Sequence, residues 1–535
     1  MQPKWEGAEQ FWREDAEEIH PIQRGRRGIF AVLFSRAMII TVLLLLQFGL
    51  MFLAAYVLGA YSYAFYLFGR MLGVGCILYL VNKPGSPDQK ITWVVLMLAL
   101  PTFGILLYLF VQTDIGHRQI NRRLEEAIAE TAAYLPDRQA LMDRLQHENP
   151  ALHGLAEYTM RTASCPVFEN TAVTYFPLGE DKFAALLEQL GQARHFIFLE
   201  YFIINDGTMW GRILKVLEQK VREGVEVRVL YDGMCAFTRL PYRYPRELEA
   251  LGIRCKMFAP LRPFVSTYYN NRDHRKIAVI DGRVAFTGGV NLADEYINRI
   301  NRFGHWKDTA VMLEGEAVRS FTLMFLQMWA IGEHTPEDYP RYLDIAQPEP
   351  VRAPGYVLPY ADSPLDDELV GETVYLDILN RAERYVHIMT PYLILDSEMV
   401  TALTAAAKRG VDVEILLPHV PDKKYAFALA KGHYHELLAA GVRIFEYTPG
   451  FLHAKVFVSD DCKAVVGTIN LDYRSLYLHF ECAAYLYGCP AIADIETDFL
   501  DTRAKSQEID MEDWKRIPFH TRAGAVLLKL FAPLM

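Results

Sequence analysis

The sequence predicts an α/β protein: two tandem, duplicated α/β sandwich domains sharing a pseudo-twofold site, preceded by N-terminal transmembrane helices. Three observations predict it. Charge-free apolar runs are confined to the N-terminal region, a long-range repeat runs through the remainder, and each repeat alternates apolar β-rich runs with amphipathic stretches.

The chain has 535 residues, is 52% hydrophobic and carries a net charge of −10, richer in apolar residues than a typical soluble enzyme. No charged residue occurs from Ala37 to Gly69, and after Arg70 the apolar character resumes to Leu80. A second charge-free run, Ile91 to Thr113, is interrupted only by Pro101 and Gly104. A bilayer-crossing helix needs roughly 20 apolar residues, so three spans are expected in region 37–113, at about 37–58, 61–81 and 91–112, after a basic segment 1–36. A signal peptide has one short apolar core and is not followed by two more such segments. Arg24, Arg26, Arg27 and Arg36 precede the first span, and Arg118, Arg122 and Arg123 follow the last. Both clusters favour the cytoplasmic side, and three full spans cannot place both there, so span number and orientation stay open. The seven cysteines stand singly, without the spacing of a disulfide framework or a zinc site. That suits a multi-pass cell-membrane protein whose body lies on the cytoplasmic face. The acidic balance argues against a nucleic-acid partner, and any attraction to anionic lipid must come from local patches.

The repeat is anchored by HRKIAVID, His274 to Asp281, and its twin HAKVFVSD, His453 to Asp460. Both continue alike, into GGVN (Gly288 to Asn291) and GTIN (Gly467 to Asn470). Upstream, FIFLEYFIINDGTMWGRILKVLEQKVREGVEVRVLYD from Phe196 parallels YVHIMTPYLILDSEMVTALTAAAKRGVDVEILLP from Tyr385. Each reads as an apolar strand, an amphipathic helix closed by a glycine (Gly224, Gly410) and an alternating strand. A further helix and strand follow as LEALGIRCKMF and LLAAGVRIFEY. Strands alternating with helices imply parallel β-α-β units. The first domain is placed at 151–340, a proline- and charge-rich linker at 341–354 and the second domain at 355–510. A charged linker helix occupies 114–150, and an amphipathic tail, 511–535, is expected to pack on the body or to lie on a membrane surface. The first half carries extra residues before its histidine, including Pro263, Phe264, Tyr268 and Tyr269, which suit a gate, a lipid contact or a surface insertion.

Residues two apart in a strand share a face, so His274 pairs with Lys276 and His453 with Lys455. Pseudo-twofold packing would bring all four into one pocket built for a phosphate. The lysines would stabilise charge on phosphoryl oxygens. One imidazole would attack phosphorus, and the other would protonate the departing alkoxide and then deprotonate the incoming alcohol. Asp308 and Glu481 start apolar strands downstream of the two motifs, and each is expected to hold its own motif's histidine. Asn291, Asn470 and the Thr468 hydroxyl are expected to donate to phosphate. Asp281 and Asp460 lie an odd number of places from their histidines, face away, and are read as capping the strand ends.

The doubled H-x-K-x4-D-x6-G-x-x-N pattern resembles the phospholipase D superfamily. Further segments, ITWVVLMLALPTFGILLYLF, LEYFI, TPYL, PGFLHAK, GTINLDYRSLYLHFE and LLKLFAPLM, are similar to the bacterial cardiolipin synthases within it. The resemblance implies transphosphatidylation without metal or cofactor. One phosphatidylglycerol would lose glycerol and a second would capture the phosphatidyl group, in contact with an anionic bilayer. It also implies His274 as nucleophile and His453 as acid/base, and it counts Asp281 and Asp460 with His274, Lys276, His453 and Lys455 as catalytic. Two positions depart from the family pattern: Gly289 stands where serine is frequent, and His479 where asparagine is. The same residues would serve a hydrolase or a synthase using another polar alcohol, which differ in water exclusion at the acceptor pocket. An inactive lipid-binding scaffold is the third reading, against which both His-Lys pairs are intact.

Overall fold

The structure is a computed structural model that describes residues 63–112, 115–260, 271–333, 337–345, 350–366 and 368–534, with scattered positions between 42 and 57. The basic segment 1–36, most of the expected span 37–58, and Pro263, Phe264, Tyr268 and Tyr269 lie outside the described residues.

Each half is built on one sheet, and the two sheets have the same strand order. The first runs Thr171–Phe176, Ala310–Gly315, Val284–Gly288, Lys276–Ile280, Phe196–Tyr201, Glu226–Asp232, Arg254–Phe258. The second runs Tyr356–Asp362, His479–Tyr487, Lys463–Gly467, Val456–Ser459, Tyr385–Met389, Asp412–Pro418, Arg443–Tyr447, with Ser506–Ile509 added at the edge. The central strands are buried on both faces, which is why they read as apolar runs broken only by single buried charged residues such as Glu200 and Lys276. Ile197, Leu199 and Ala278 on one face of the first sheet pack with Leu186 and Leu217 of the helices Gly179–Gln192 and Thr208–Arg222. Phe198, Ile277 and Val311 on the other face join a core continuous with the second half.

The sheets are mixed, which corrects the parallel expectation. Three strands in each half are parallel, Phe196–Tyr201 with Glu226–Asp232 with Arg254–Phe258 in the first. The motif strand is antiparallel to both neighbours. The cause is a tight hairpin at Asp281 and Gly282, with φ of 54° and 60°, the conformation that suits Asp-Gly in a two-residue turn. Asp460 and Asp461 repeat it, with φ of 55° and 58°.

The halves interlock through two short exchanged strands. Arg272–Asp273 pairs in parallel with His479–Phe480, and Gly450–Leu452 pairs in parallel with His305–Lys307. Each motif histidine is thereby anchored to the other half: His274 N donates to Phe480 O at 2.9 Å and His453 N to Lys307 O at 2.7 Å.

At the N-terminus the helix Tyr63–Asn82 covers the expected span 61–81. The expected span 91–112 is instead two helices, Pro87–Ala99 and Pro101–Gln112. Leu100, at φ −135° and ψ 73°, breaks them apart because proline disfavours the helical conformation in the residue before it. Among the described residues no helix is long and apolar enough to cross a membrane. The 114–150 segment forms two helices, Ile115–Ala132 and Gln139–Glu148. The tail helix Phe519–Phe531 packs Ala525 over Gly432 of the helix Lys424–Ala440. Its Leu530 carbonyl accepts from Thr92 Oγ1 at 2.8 Å.

Candidate active site

The interlock decides how the site is wired. Arg272 faces His479 and Asp273 faces Phe480, so one further step in register sets His274 beside Glu481. Phe451 faces Trp306 and Leu452 faces Lys307, and the next step sets His453 beside Asp308. His274 Nδ1 lies 2.8 Å from Glu481 Oε1, and His453 Nδ1 lies 2.7 Å from Asp308 Oδ2. The carboxylates therefore serve the opposite half's histidine, which corrects the expectation that each holds its own. With Nδ1 engaged by a carboxyl group, Nε2 of each ring is left for substrate.

Both histidines line one cavity of about 1020 Å³. Lys276 Nζ and Lys455 Nζ donate to the carbonyl oxygens of His274 and His453, and Lys455 Nζ lies 2.9 Å from His453 Nδ1. Burial lowers the lysines, Lys276 to about 7 and Lys455 to about 8. Burial, and then the neighbouring Lys276, hold His274 well below the usual histidine range. Burial and Lys455 lower His453 to about 4, against an upward pull from Asp308. Burial pushes the Glu481 carboxyl well up. The result is two basic groups beside two neutral imidazoles, a site prepared for an anion.

Other expected contacts go elsewhere. Asn291 is committed to the protein, its Oδ1 accepting from Ile203 N at 2.9 Å and its Nδ2 donating to Tyr296 OH at 2.8 Å. The Thr468 hydroxyl donates to Glu481, so it steadies the carboxyl instead of meeting phosphate. Asn470 lines the cavity, and its Oδ1 is buried without a partner. Asp281 accepts from the backbone nitrogens of Arg194, His195 and Phe196 at 2.7–2.8 Å. Asp460 accepts from Glu383, Arg384 and Tyr385 at 2.8–3.1 Å. Both carboxyl groups are taken up by these backbone N–H groups and hold the start of the adjacent central strand, the capping role that strand parity had indicated in place of a catalytic one. Gly289 has its own reason: a Cβ there would lie 2.0 Å from Asp308 Oδ1, so the carboxyl of Asp308 fills the space a serine would need.

Sequence reasoning missed the rings around the histidines. His453 is flanked by Trp306, Tyr296 and Phe451, with ring centroids at 5.3, 5.6 and 5.8 Å. His274 is flanked by Phe202 at 4.9 Å and His479 at 5.3 Å. The signal lay in the repeat: Trp306 stands two residues before Asp308, as His479 stands two before Glu481. His274, His479 and Glu481 bring possible metal-ligating atoms within 4.8 Å of one another. Lys276 beside them and the raised Glu481 carboxyl leave that group poorly suited to a cation.

Two like sheets sharing a site of two histidines and two lysines define a duplicated phosphoryl-transfer enzyme of the phospholipase D type. Residues 186–329 and 375–502 match the family described as cardiolipin synthase, PLD-like domain, and residues 72–112 match the phospholipase D-nuclease N-terminal family. The chain belongs to the cardiolipin synthase family of the phospholipase D superfamily, and it is a phosphatidyltransferase acting on phospholipid. It is 32% identical over 509 residues to a cardiolipin synthase of Halalkalibacterium halodurans, covering 94% of this chain and 100% of that one. It is 54% identical over 462 residues to an uncharacterized protein of Streptococcus mutans, covering 86% of this chain and 100% of that one. The fold is similar to that of a phosphatidylserine synthase of Haemophilus influenzae, with a TM-score of 0.52 and 14% identity over 71% of this chain and 96% of that one.

Proposed function

We propose that the protein is a membrane-bound cardiolipin synthase that transfers a phosphatidyl group from one phosphatidylglycerol to another through a phosphohistidine. His274 Nε2 attacks phosphorus, the P–N bond forms, and the bond to the glycerol oxygen breaks as His453, which takes up a proton with Asp308 beside it when the phosphate anion enters the pocket, gives that oxygen the proton. The neutral His453 then takes the hydroxyl proton of a second phosphatidylglycerol. Its oxygen attacks phosphorus and the P–N bond breaks, leaving cardiolipin and glycerol. Lys276 and Lys455 balance the charge on the equatorial oxygens.

The observation that carries this reading is the crossed pair of carboxyl groups. Glu481, raised by burial, leaves His274 neutral and nucleophilic, while Asp308 supports a proton on His453. The N-terminal family match and the apolar helices beside the body support a site that works against a bilayer. In this reading the body lies on the cytoplasmic face.

Reconstitution with phosphatidylglycerol alone in the presence of chelator is the test. Cardiolipin and glycerol are expected in equal amounts. Phosphatidic acid as the main product would replace this reading with a hydrolase, and lipid binding without turnover would favour a scaffold. His274→Ala and His453→Ala are each expected to abolish turnover.

A further inference from the structure

The two halves match in backbone and differ in what surrounds each histidine. Two positions are equivalent by the interlock register. The residue two before the histidine is Arg272 in the first half and Phe451 in the second. The residue two before the carboxyl group is His479 on the His274 side and Trp306 on the His453 side. At both positions the His274 side carries a nitrogen-rich group and the His453 side an aromatic ring. Tyr296 closes the wall around His453, its hydroxyl engaged by Asn291. Phe451 and Trp306 also pack against one another, tilted, at 4.8 Å, and Phe303 lies beyond them at 6.1 and 6.4 Å.

His453 is where a proton leaves the incoming hydroxyl, and there water competes with alcohol. Water is smaller and far more abundant, so an alcohol wins only if the approach to the phosphohistidine is dry and offers the alcohol something water does not use. An aromatic wall meets both needs: its ring faces offer a small polar molecule no hydrogen bonds, while a carbon-rich alcohol buries surface against them.

We propose that Trp306 and Tyr296, which line the cavity, form with Phe451 packed against Trp306 the acceptor subsite that commits the phosphohistidine to an alcohol over water. This rests on the reading that His453 is the acid/base and that a phosphohistidine forms. No new chemical step is involved. The same P–N bond breaks toward an alcohol oxygen or a water oxygen, and His453 takes the proton in either case.

The test is a partition ratio, which the folded fraction of a variant does not move. The full chain is reconstituted in phosphatidylglycerol vesicles with ethanol in the buffer, and cardiolipin, phosphatidylethanol and phosphatidic acid are quantified together. In Trp306→Ala the ratio of alcohol products to phosphatidic acid is expected to fall at least tenfold. In Phe451→Leu a smaller fall is expected. Trp306→Phe keeps an aromatic wall, so its ratio is expected to stay near that of the wild type. Should Trp306→Ala not fold, Phe451→Leu and Tyr296→Leu carry the same comparison. A lower total rate with an unchanged ratio in these variants overturns the proposal and leaves cardiolipin synthesis standing. A wild type that makes phosphatidylethanol but no cardiolipin, with the ratio still collapsing in the variants, removes the cardiolipin reading and leaves the acceptor wall in place. A wild type that makes chiefly phosphatidic acid in ethanol removes both.

Discussion

Glu481 and Asp308 hold their histidines in the same way and to different electrical effect. Burial raises Glu481, so Glu481→Gln keeps a neutral acceptor for the His274 ring and is expected to cost less than tenfold in kcat. Asp308 raises the proton affinity of His453 through charge and hydrogen bond, so Asp308→Asn is expected to cost 10²-fold or more, within the range of general acid-base catalysis. Steady-state rates of the two variants measured together decide it, and equal losses would contradict the division of roles. A second consequence concerns stability. His453 titrates at about 4 in the folded chain against 6.5 as the ordinary value, so between these values the unfolded state binds more protons. Its contribution is fully present above about pH 6.5 and is lost as pH falls toward about 4. Buried Asp273 and Asp362, raised to about 6 and about 7, act with the opposite sign, so the wild-type curve alone is mixed. The prediction is therefore a difference: His453→Gln should gain on the wild type by roughly 3 kcal/mol between pH 7 and pH 4. Thermal denaturation in detergent across that range measures it, and a flat difference would refute the buried, neutral imidazole.

At the scale of elements, the motif strand shows what a sequence conveys and what it withholds. Period-two alternation put Lys276 with His274, and the odd spacing turned Asp281 away; both follow from one strand's geometry and need no partner. Asp281 then holds three backbone N–H groups at the start of Phe196–Tyr201 in a left-handed turn. Asp281→Ala is expected to lose about 3 kcal/mol of stability, from charge-assisted hydrogen bonds and αL strain together. Turnover per folded molecule should be kept. Melting curves beside active-site titration test this, and a loss of turnover in fully folded protein would return Asp281 to the chemistry. The antiparallel return of the motif strand was also written in the sequence, as Asp281-Gly282, although the helix-strand alternation around it pointed to parallel units. Crossing of the carboxyl groups was not legible within either repeat, since it depends on the register between strands of different halves. Trp306 and His479 stood in view at equivalent offsets, but their meaning required the rings to be placed against His453 and His274.

At the scale of the whole molecule, the site exists only when the halves are interlocked, so folding and activity are coupled. The strands Arg272–Asp273 and Gly450–Leu452 each complete a pairing in the other half, and the amides of His274 and His453 are bonded across that boundary. Phe480 is fully buried there, edge-on to Phe258 of the first half at 5.4 Å, within a core that includes residues of both sheets. Separating the halves would expose that core and leave both histidines without their carboxyl groups, so with one half unfolded the half still folded carries an exposed apolar face that no gain in its own chain entropy offsets. The body is therefore expected to melt in one calorimetric transition. The His274 and His453 amides are expected to exchange hydrogen only through global opening. Phe480→Ala should lower that single transition, at a cost of about 3–5 kcal/mol for a large aromatic removed from a core, without splitting it. Two resolved transitions, or fast exchange at either histidine amide in protein that still turns over, would show that the halves open independently and that the exchanged strands are not what assembles the site.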